Sequence, residues 1–597
     1  MINRLLLILI ILFNINSVHA KSSVDFIEYV AELKPDFIKH TLKGKVKIHF
    51  KMHLNAMSNK DSNSHYAANP TLILSAENMD ILQVKGDWVK AHTLKEGRLH
   101  VSLYKDKVKT NVGRVTSIEV DYLAKPQRGL KFFSNYLYTL FHTEQWLVSH
   151  FNIADKAKFD LTLFLPSSMK VVANGNAISS IKEGQWTRHH WRESRDRPLF
   201  TLGFAAGDFK EKWLKHNQMR FRVLYKELKE NEIERIFRDL GQAYDFFYKL
   251  SGKQLSQQHY TFVITPENSM QEASGFSLVG RDYLSHVLSE PRESWLMTHE
   301  LAHEWWGNSI SAASWNDFWL NEGLVQFLVA AFKEKAYGRD EYDREIIFFK
   351  ESILRHLKEN KGRLPAVSPV QPIDLALFKT KYRGVAYSKG AFIFHMLRQE
   401  LGDSDFWQGL KLYSQKYWEK AVSTTDLKKS FERASGKNLD DFFNTWVYEE
   451  QHIDAKIDFK LKSFNFYVQQ QQEEVKNFDL WIDFVGKNDV QTVKFSITKK
   501  MHNFQYELPF KPIGLRIDSK HILPFWIEVK GADEWLAGGL QHTKTALDKY
   551  WAMKSLLNSS ACQKKPAFIH QHLKMFDSSD NPRILQSAFS WWRKRCL

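Results

Sequence analysis

The run Thr298-His299-Glu300-Leu301-Ala302-His303 sets two imidazoles four residues apart, with a carboxylate beside the first. On a helix, positions i and i+4 lie one above the other on one face. His299 and His303 can therefore share a metal ion, while Glu300 projects from a neighbouring position toward a water on that metal. Chance alone yields about 0.05 such patterns in a chain of this length, so a further acidic residue is needed to decide. Glu322, in Trp319-Leu320-Asn321-Glu322-Gly323-Leu324, follows His303 after 18 intervening residues and begins another helix-like segment. Two histidines and one glutamate with an open fourth position make a catalytic zinc site, whereas a structural zinc is closed by four protein ligands. The chemistry such a site performs is hydrolysis. Zinc lowers the pKa of its water to about 7, and Glu300 serves as general base toward the carbonyl under attack and then delivers a proton to the leaving amine.

The elements that must carry these residues are legible in the hydrophobic pattern. From about Ser23 to Phe209 apolar residues alternate with polar ones, as in Val46-Lys47-Ile48-His49-Phe50, with turn formers such as Asn174-Gly175-Asn176 between the runs. That predicts an all-β domain over residues 21–212. Helical spacing then dominates residues 213–450, interrupted by one strand-like run, Tyr260 to Thr265. Strict alternation returns at Ile453, Ala455, Ile457, Phe459 and Leu461, which predicts a small β-sandwich over 451–530, with Gln469 to Gln472 as a loop. Residues 531–597 read as a short helical segment. The expected class is α+β and multidomain, in keeping with 597 residues at about 100 to 200 per domain.

Composition narrows the partners. There are 84 Lys and Arg against 68 Asp and Glu, a formal charge of +16, but the lysines are scattered, so nucleic acid is not expected. Arg4, the apolar run Leu5 to Phe13 and Val18-His19-Ala20 read as a secretory signal peptide over residues 1–20, with export to the periplasm or outside the cell. No stretch reaches the roughly 20 apolar residues of a helical span, so no integral membrane segment is expected. The only two cysteines, Cys562 and Cys596, would meet an oxidising compartment; whether they pair is left open by the sequence.

These motifs resemble the zinc aminopeptidase family that includes the alanyl and leucyl aminopeptidases and leukotriene hydrolase. The likeness rests on the HExxH helix, the Trp306-Gly307-Asn308 continuation, the 18-residue interval and the Asn321-Glu322-Gly323 turn. Phe204 to Phe209 looks like the end of that family's N-terminal β-domain, and Phe431 to Tyr448 like the close of its catalytic domain. The resemblance implies an N-terminal β-saddle, a thermolysin-like catalytic domain, one Zn2+ per chain and peptide substrates trimmed from the amino end. Tyr387, in Tyr387-Ser388-Lys389-Gly390-Ala391, matches the family tyrosine that donates to the developing oxyanion. Glu272 matches the glutamate that holds the substrate's free amine, but Gly, Met and Asn of that segment are replaced by Ser269, Gln271 and Ala273. Glu144, or its neighbour Gln145, falls where the family contributes to the first substrate pocket, without the arginine usually found after it. For Glu272 the alternative is an exposed loop residue. For the whole chain the alternatives are an endopeptidase or other zinc hydrolase without strict free-amine recognition, and a zinc-binding protein without turnover. Too little chain follows the β-sandwich for the family's large helical closing domain, so the cleft is expected to be open.

Overall fold

The computed structural model describes residues 24–596 except 54–69, 360–383, 450–452, 461–464, 574–589 and single positions 151, 256, 268, 291, 591, 594 and 595. The expected leader, residues 1–20, lies outside the described residues. The architecture is α+β and multidomain: a β-rich N-terminal part, a helical catalytic part and a C-terminal β-sandwich with helices.

The N-terminal part is built on a seven-stranded sheet whose long members include Val24–Asp36, Thr41–Met52, Lys156–Pro166 and Trp186–Pro198. In Thr41–Met52 the residues Leu42, Val46, Ile48 and Phe50 are buried while Lys43, Lys45 and Lys47 face solvent, the period-two signature of a sheet with one face on a core. A four-stranded sheet of Gly129–Phe132, Tyr136–Leu140, Lys170–Ala173 and Phe204–Gly207 shares that core through Tyr138, Trp146, Phe159 and Phe204. Its strand Tyr136–Leu140 runs directly into the turn that carries Glu144.

The catalytic part opens with five strands, β1 (Lys210–His216), β2 (Met219–Tyr225), β3 (His259–Thr265), β4 (Gln271–Ala273) and β5 (Phe276–Gly280), in the order β1-β2-β3-β5-β4. Sequence reading found β3 alone within this region. β4 and β5 are buried on both faces and short, so they have no alternation to read. β1 pairs with β2, so residues 210–212, assigned above to the N-terminal domain, belong to this second sheet; alternation runs through the boundary without a change of period.

The helices that position the site are α1 (Trp295–Ala302), α2 (Trp319–Tyr337), α3 (Arg339–Glu359) and α4 (Gly390–Leu401), with a π-helical turn, Gly384–Lys389, leading into α4. Every α2 residue from Trp319 to Lys333 is buried, so this helix is enclosed on all sides, and it packs against α1, α3 and α4.

Two small sheets form the C-terminal sandwich, one with strands Ala455–Lys460, Asn465–Gln470, Met501–Gln505 and Glu528–Lys530, the other with Phe478–Val485, Val490–Ile497 and Gly514–Ile517. The expected loop 469–472 starts later than anticipated. Gln469 and Gln470 continue a strand, and buried Gln470 holds the following turn, its Nε2 donating to the Lys476 carbonyl and its Oε1 accepting from the Lys476 N–H. Helix α5 (Ala546–Leu557) joins the sandwich to the catalytic part: Leu547, Tyr550 and Trp551 enter the catalytic core, Met553, Leu556 and Leu557 the sandwich core. Cys562 and Cys596 are disulfide-bonded, with Cα atoms 4.7 Å apart. No described helix is long and apolar enough to cross a membrane.

Candidate metal centre

His299 lies within α1 and His303 caps it, so the i, i+4 spacing aligns both imidazoles on the face that meets the first turn of α2, where Glu322 sits. All three side chains are buried. The two Nε2 atoms are 3.1 Å apart, and Glu322 Oε2 stands 3.5 Å from His299 Nε2 and 3.6 Å from His303 Nε2. A tetrahedral ion bound at 2.0–2.1 Å has ligand atoms about 3.3 Å from one another, so this triangle has the size of a metal-ligand face. His303 Nδ1 donates to the Trp306 carbonyl at 3.1 Å, which leaves Nε2 as the ring nitrogen with the lone pair. The set therefore fits a metal ion in donor type, spacing and tautomer.

Electrostatics point the same way. Burial works against a charge on His303, yet the carboxylates of Glu272, Glu322 and Glu300 outweigh it and push its pKa up to about 10. Burial would raise Glu322, but His303 and His299 hold it well below the usual carboxylate range. Burial drives Glu272 up to about 7, with Glu322 adding to the rise and His303 opposing it. Three carboxylates around two imidazoles in a buried space favour positive charge there.

Two glycines permit this packing. Gly307 has φ 141°, and a Cβ there would come within 2.7 Å of His303 Nδ1. Gly323, next to Glu322, lets α2 approach the start of α4 so closely that a Cβ would meet Gly390 Cα at 2.7 Å. That approach brings the π-helical turn and Tyr387 against the histidines, with the Tyr387 ring 6.0 Å from that of His299 and nearly parallel to it.

A cavity of about 410 Å³ opens on this centre. Glu272, His299, Glu300, Glu322 and Tyr387 all line it, joined by Phe141, His142, Phe200, Trp295 and Phe318. Glu272 lies on β4, at the edge of the five-stranded sheet, and is buried; the exposed-loop alternative does not hold. Its Oε1 has no hydrogen-bond partner among the described residues. Glu144 is buried behind the wall, with Oε1 2.9 Å from His142 Nδ1, and it is His142 that lines the cavity. Gln145 turns the other way and accepts from the backbone N–H groups of Gln127 and Arg128.

Residues 261–446 match the family described as Peptidase family M1 domain. The chain carries a peptidase family M1 domain. Among curated proteins the chain is 24% identical to aminopeptidase M1-B of Oryza sativa subsp. japonica over 324 residues, 51% of this chain and 36% of that one. It is 22% identical to glutamyl aminopeptidase of Bitis rhinoceros over 320 residues, 51% of this chain and 33% of that one. The match thus spans about a third of these relatives' length. Among solved structures, Legionella pneumophila aminopeptidase A in complex with aspartic acid superposes with a TM-score of 0.76 at 15% identity, covering 95% of this chain and 68% of that chain. The fold of the chain is therefore similar to that of this solved structure over 95% of its length.

Near Glu272, the residues that depart from the family pattern have partners of their own. Ser269 Oγ lies 2.8 Å from the Tyr138 hydroxyl, and Gln271 Oε1 accepts from Phe141 N–H at 2.5 Å. Both replacements tie the Glu272 segment to the N-terminal sheet. Residues with a part in the site that were missed in the sequence include His142, which lines the cavity; Gln271, read only as a departure; Trp295, whose ring packs 5.3 Å from that of His299; and Glu304, whose Oε1 accepts from Gly275 N–H and Asn308 Nδ2 and so ties the His299–His303 segment to the β4–β5 turn. Trp295 had a readable signal, since it stands four residues before His299 on the same helix face.

Proposed function

We propose that this protein is an exported zinc aminopeptidase, with zinc held by His299, His303 and Glu322. The observation that carries the reading is Glu272 Oε1: a buried carboxylate oxygen, without a donor among the described residues, on the wall of the cavity faced by the ligand set. A buried anion of this kind is costly unless a cation meets it, and the α-ammonium of a peptide is a cation that also brings hydrogen-bond donors. Bound by these three residues, zinc would supply Lewis acidity to a water and to the scissile carbonyl. Glu300 takes the proton from the attacking water and passes it to the leaving amine. Tyr387 donates its hydroxyl hydrogen to the developing oxyanion. Glu272 fixes the amino end, so that the first peptide bond is the one presented. The aminopeptidase names of the relatives support the same reading, and the leader-like start together with the Cys562–Cys596 pair supports export.

The test is hydrolysis of amino-acid amides beside their N-acetylated counterparts by zinc-loaded protein from residue 21 onward. Cleavage of the free-amine compounds alone is expected, and Glu272→Gln should raise KM about 10- to 100-fold with a smaller change in kcat. Cleavage of the acetylated compounds would move the assignment to an endopeptidase, and cleavage of neither would leave a zinc-binding protein. N-terminal sequencing of the protein as its host makes it tests export, the expected start being Lys21.

A further inference from the structure

A second cavity, of about 400 Å³, adjoins the first, and Trp295 and Tyr387 line both. Glu272 borders the first and not the second. A peptide whose amine is held at Glu272 has to carry the rest of its chain past the metal ligands, and the second cavity offers that space. Its floor is one face of α3. Arg344, Phe348, Ser352 and Arg355 follow one another at helical spacing and lie in a row along about 16 Å of that helix. The π-helical turn that carries Tyr387 is fastened to the Arg355 end of the row. Ser388 Oγ donates to Ser352 Oγ at 2.9 Å, and Gly384 lies so close to the His356 ring that a Cβ there has no room. Charge in this cavity is unevenly met. The carboxylates of Glu293 and Glu345 accept from buried Lys333 at 3.2 and 2.7 Å, and Glu293 accepts also from the Tyr283 hydroxyl and the Trp295 N–H. Arg344 is paired with Glu341. Arg355 is exposed and has no ion pair or hydrogen bond among the described residues, and Phe348, between the two arginines, leaves 53% of its surface uncovered. A cation without a partner beside an uncovered aromatic ring suits an anionic ligand with an apolar part.

We propose that the second cavity takes the carboxyl end of the substrate, with Arg355 pairing with the terminal carboxylate and Phe348 covered by a side chain of the departing part, so that the protein works on short peptides. The inference rests on the aminopeptidase reading above and names its substrate class. Geometry sets the length. An extended chain advances about 3.3 Å per residue and the Arg355 end of the row lies by the Tyr387 turn, which together select peptides of about three to five residues. A longer peptide carries its carboxylate past Arg355 and loses the pair. A guanidinium meets a carboxylate through two parallel N–H···O bonds, which orients the end of the chain as well as attracting it.

The experiment uses the full zinc-loaded chain and free-amine substrates: Ala-Ala-Ala, its C-terminal amide, Ala-Ala-Asp-amide, which moves the negative charge to a side chain, and an eight-residue peptide beginning Ala-Ala-Ala. In the unaltered protein kcat/KM for Ala-Ala-Ala should exceed that for each of the others about fivefold, mainly through KM. Arg355→Gln, at an exposed helix position, should remove the difference, and Arg355→Lys, which keeps the charge, should retain part of it. A merely structural role would lower all the rates together and leave their ratios unchanged. Equal rates for Ala-Ala-Ala and its amide, or a ratio that survives Arg355→Gln, would overturn the assignment of Arg355. Ala-Ala-Asp-amide cleaved as fast as Ala-Ala-Ala would overturn the terminal carboxylate in favour of an acidic side chain, and an equal rate for the eight-residue peptide would overturn the limit on length. Cleavage of none of these substrates would overturn the functional reading itself, and this inference with it.

Discussion

Glu272 and Lys350 are both buried side chains whose pKa burial moves to about 7, one upward and one downward. Their surroundings put that perturbation to different use. Around Glu272, acceptor groups from β4, α1 and α2 converge on open space: the histidine and glutamate ligand atoms face each other at 3.1 to 3.6 Å, and Glu272 Oε1 lacks a donor among the described residues. Around Lys350, on α3, the space is filled. Its Nζ lies 3.3 Å from the Trp526 ring centre, 4.0 Å from that of Trp551 and 4.0 Å from Asp518 Oδ2. Asp518 in turn accepts from Trp551 Nε1 and from the Ile522 and Leu523 N–H groups. The Lys350 cluster pins α5 and the sandwich to α3, and none of these residues lines the cavity. A shifted pKa occurs in both places, and Lys350 Nζ too lacks a hydrogen-bond partner among the described residues, so neither property marks the functional site; the open cavity beside the ligand set does.

The largest expected effect separates the clusters outright. His303→Ala should leave no measurable hydrolysis and no stoichiometric zinc by atomic emission, whereas Lys350→Met should retain both; one zinc per chain in the histidine variant would remove His303 from the ligand set. Next, Glu300→Gln should reduce kcat about 10³-fold with zinc content unchanged, as for loss of a general base, and normal turnover would exclude Glu300 from proton transfer.

The smallest effect sharpens the comparison from the Lys350 side. Because its pKa in the folded chain is about 7 and lies below that of the unfolded chain, the unfolded state binds more protons between those values. The lysine therefore costs stability that grows as pH falls from about 10.5 to about 7 and is constant below. Lys350→Met, which leaves Asp518 with its three donors, should melt higher than the unaltered protein by about 2–4 °C at pH 7, with the difference shrinking toward pH 10. A difference independent of pH would show that Lys350 contributes by packing alone.

Much of the fold was readable where periodicity is local. The alternation in Thr41–Met52 and Ala455–Lys460 identified strands because one face of each sheet meets water, while β4 and β5, buried on both faces, gave no such sign. The grouping of two of the three candidate ligands was readable for the same reason. His299 and His303 are neighbours by helix geometry, and Glu322 follows at a spacing that family resemblance recognises. Tyr387 came from resemblance alone, and its contact with His299 depends on the close approach of backbone at Gly323 and Gly390.

What the sequence determined by itself is thus the chemistry of the centre: two imidazoles on one helix face, a carboxylate beside them and a third ligand at the head of the next helix. Tertiary structure alone decided that Glu272 is buried in a cavity wall and not in an exposed loop, that His142 and not Glu144 reaches that cavity, and that Lys350 is enclosed by residues from two distant segments. The physical reason is the range of the forces involved. Backbone geometry fixes which residues share a face within one element. Burial, the direction of a side chain and the partner it meets are set when separate elements pack, through contacts that no local pattern encodes.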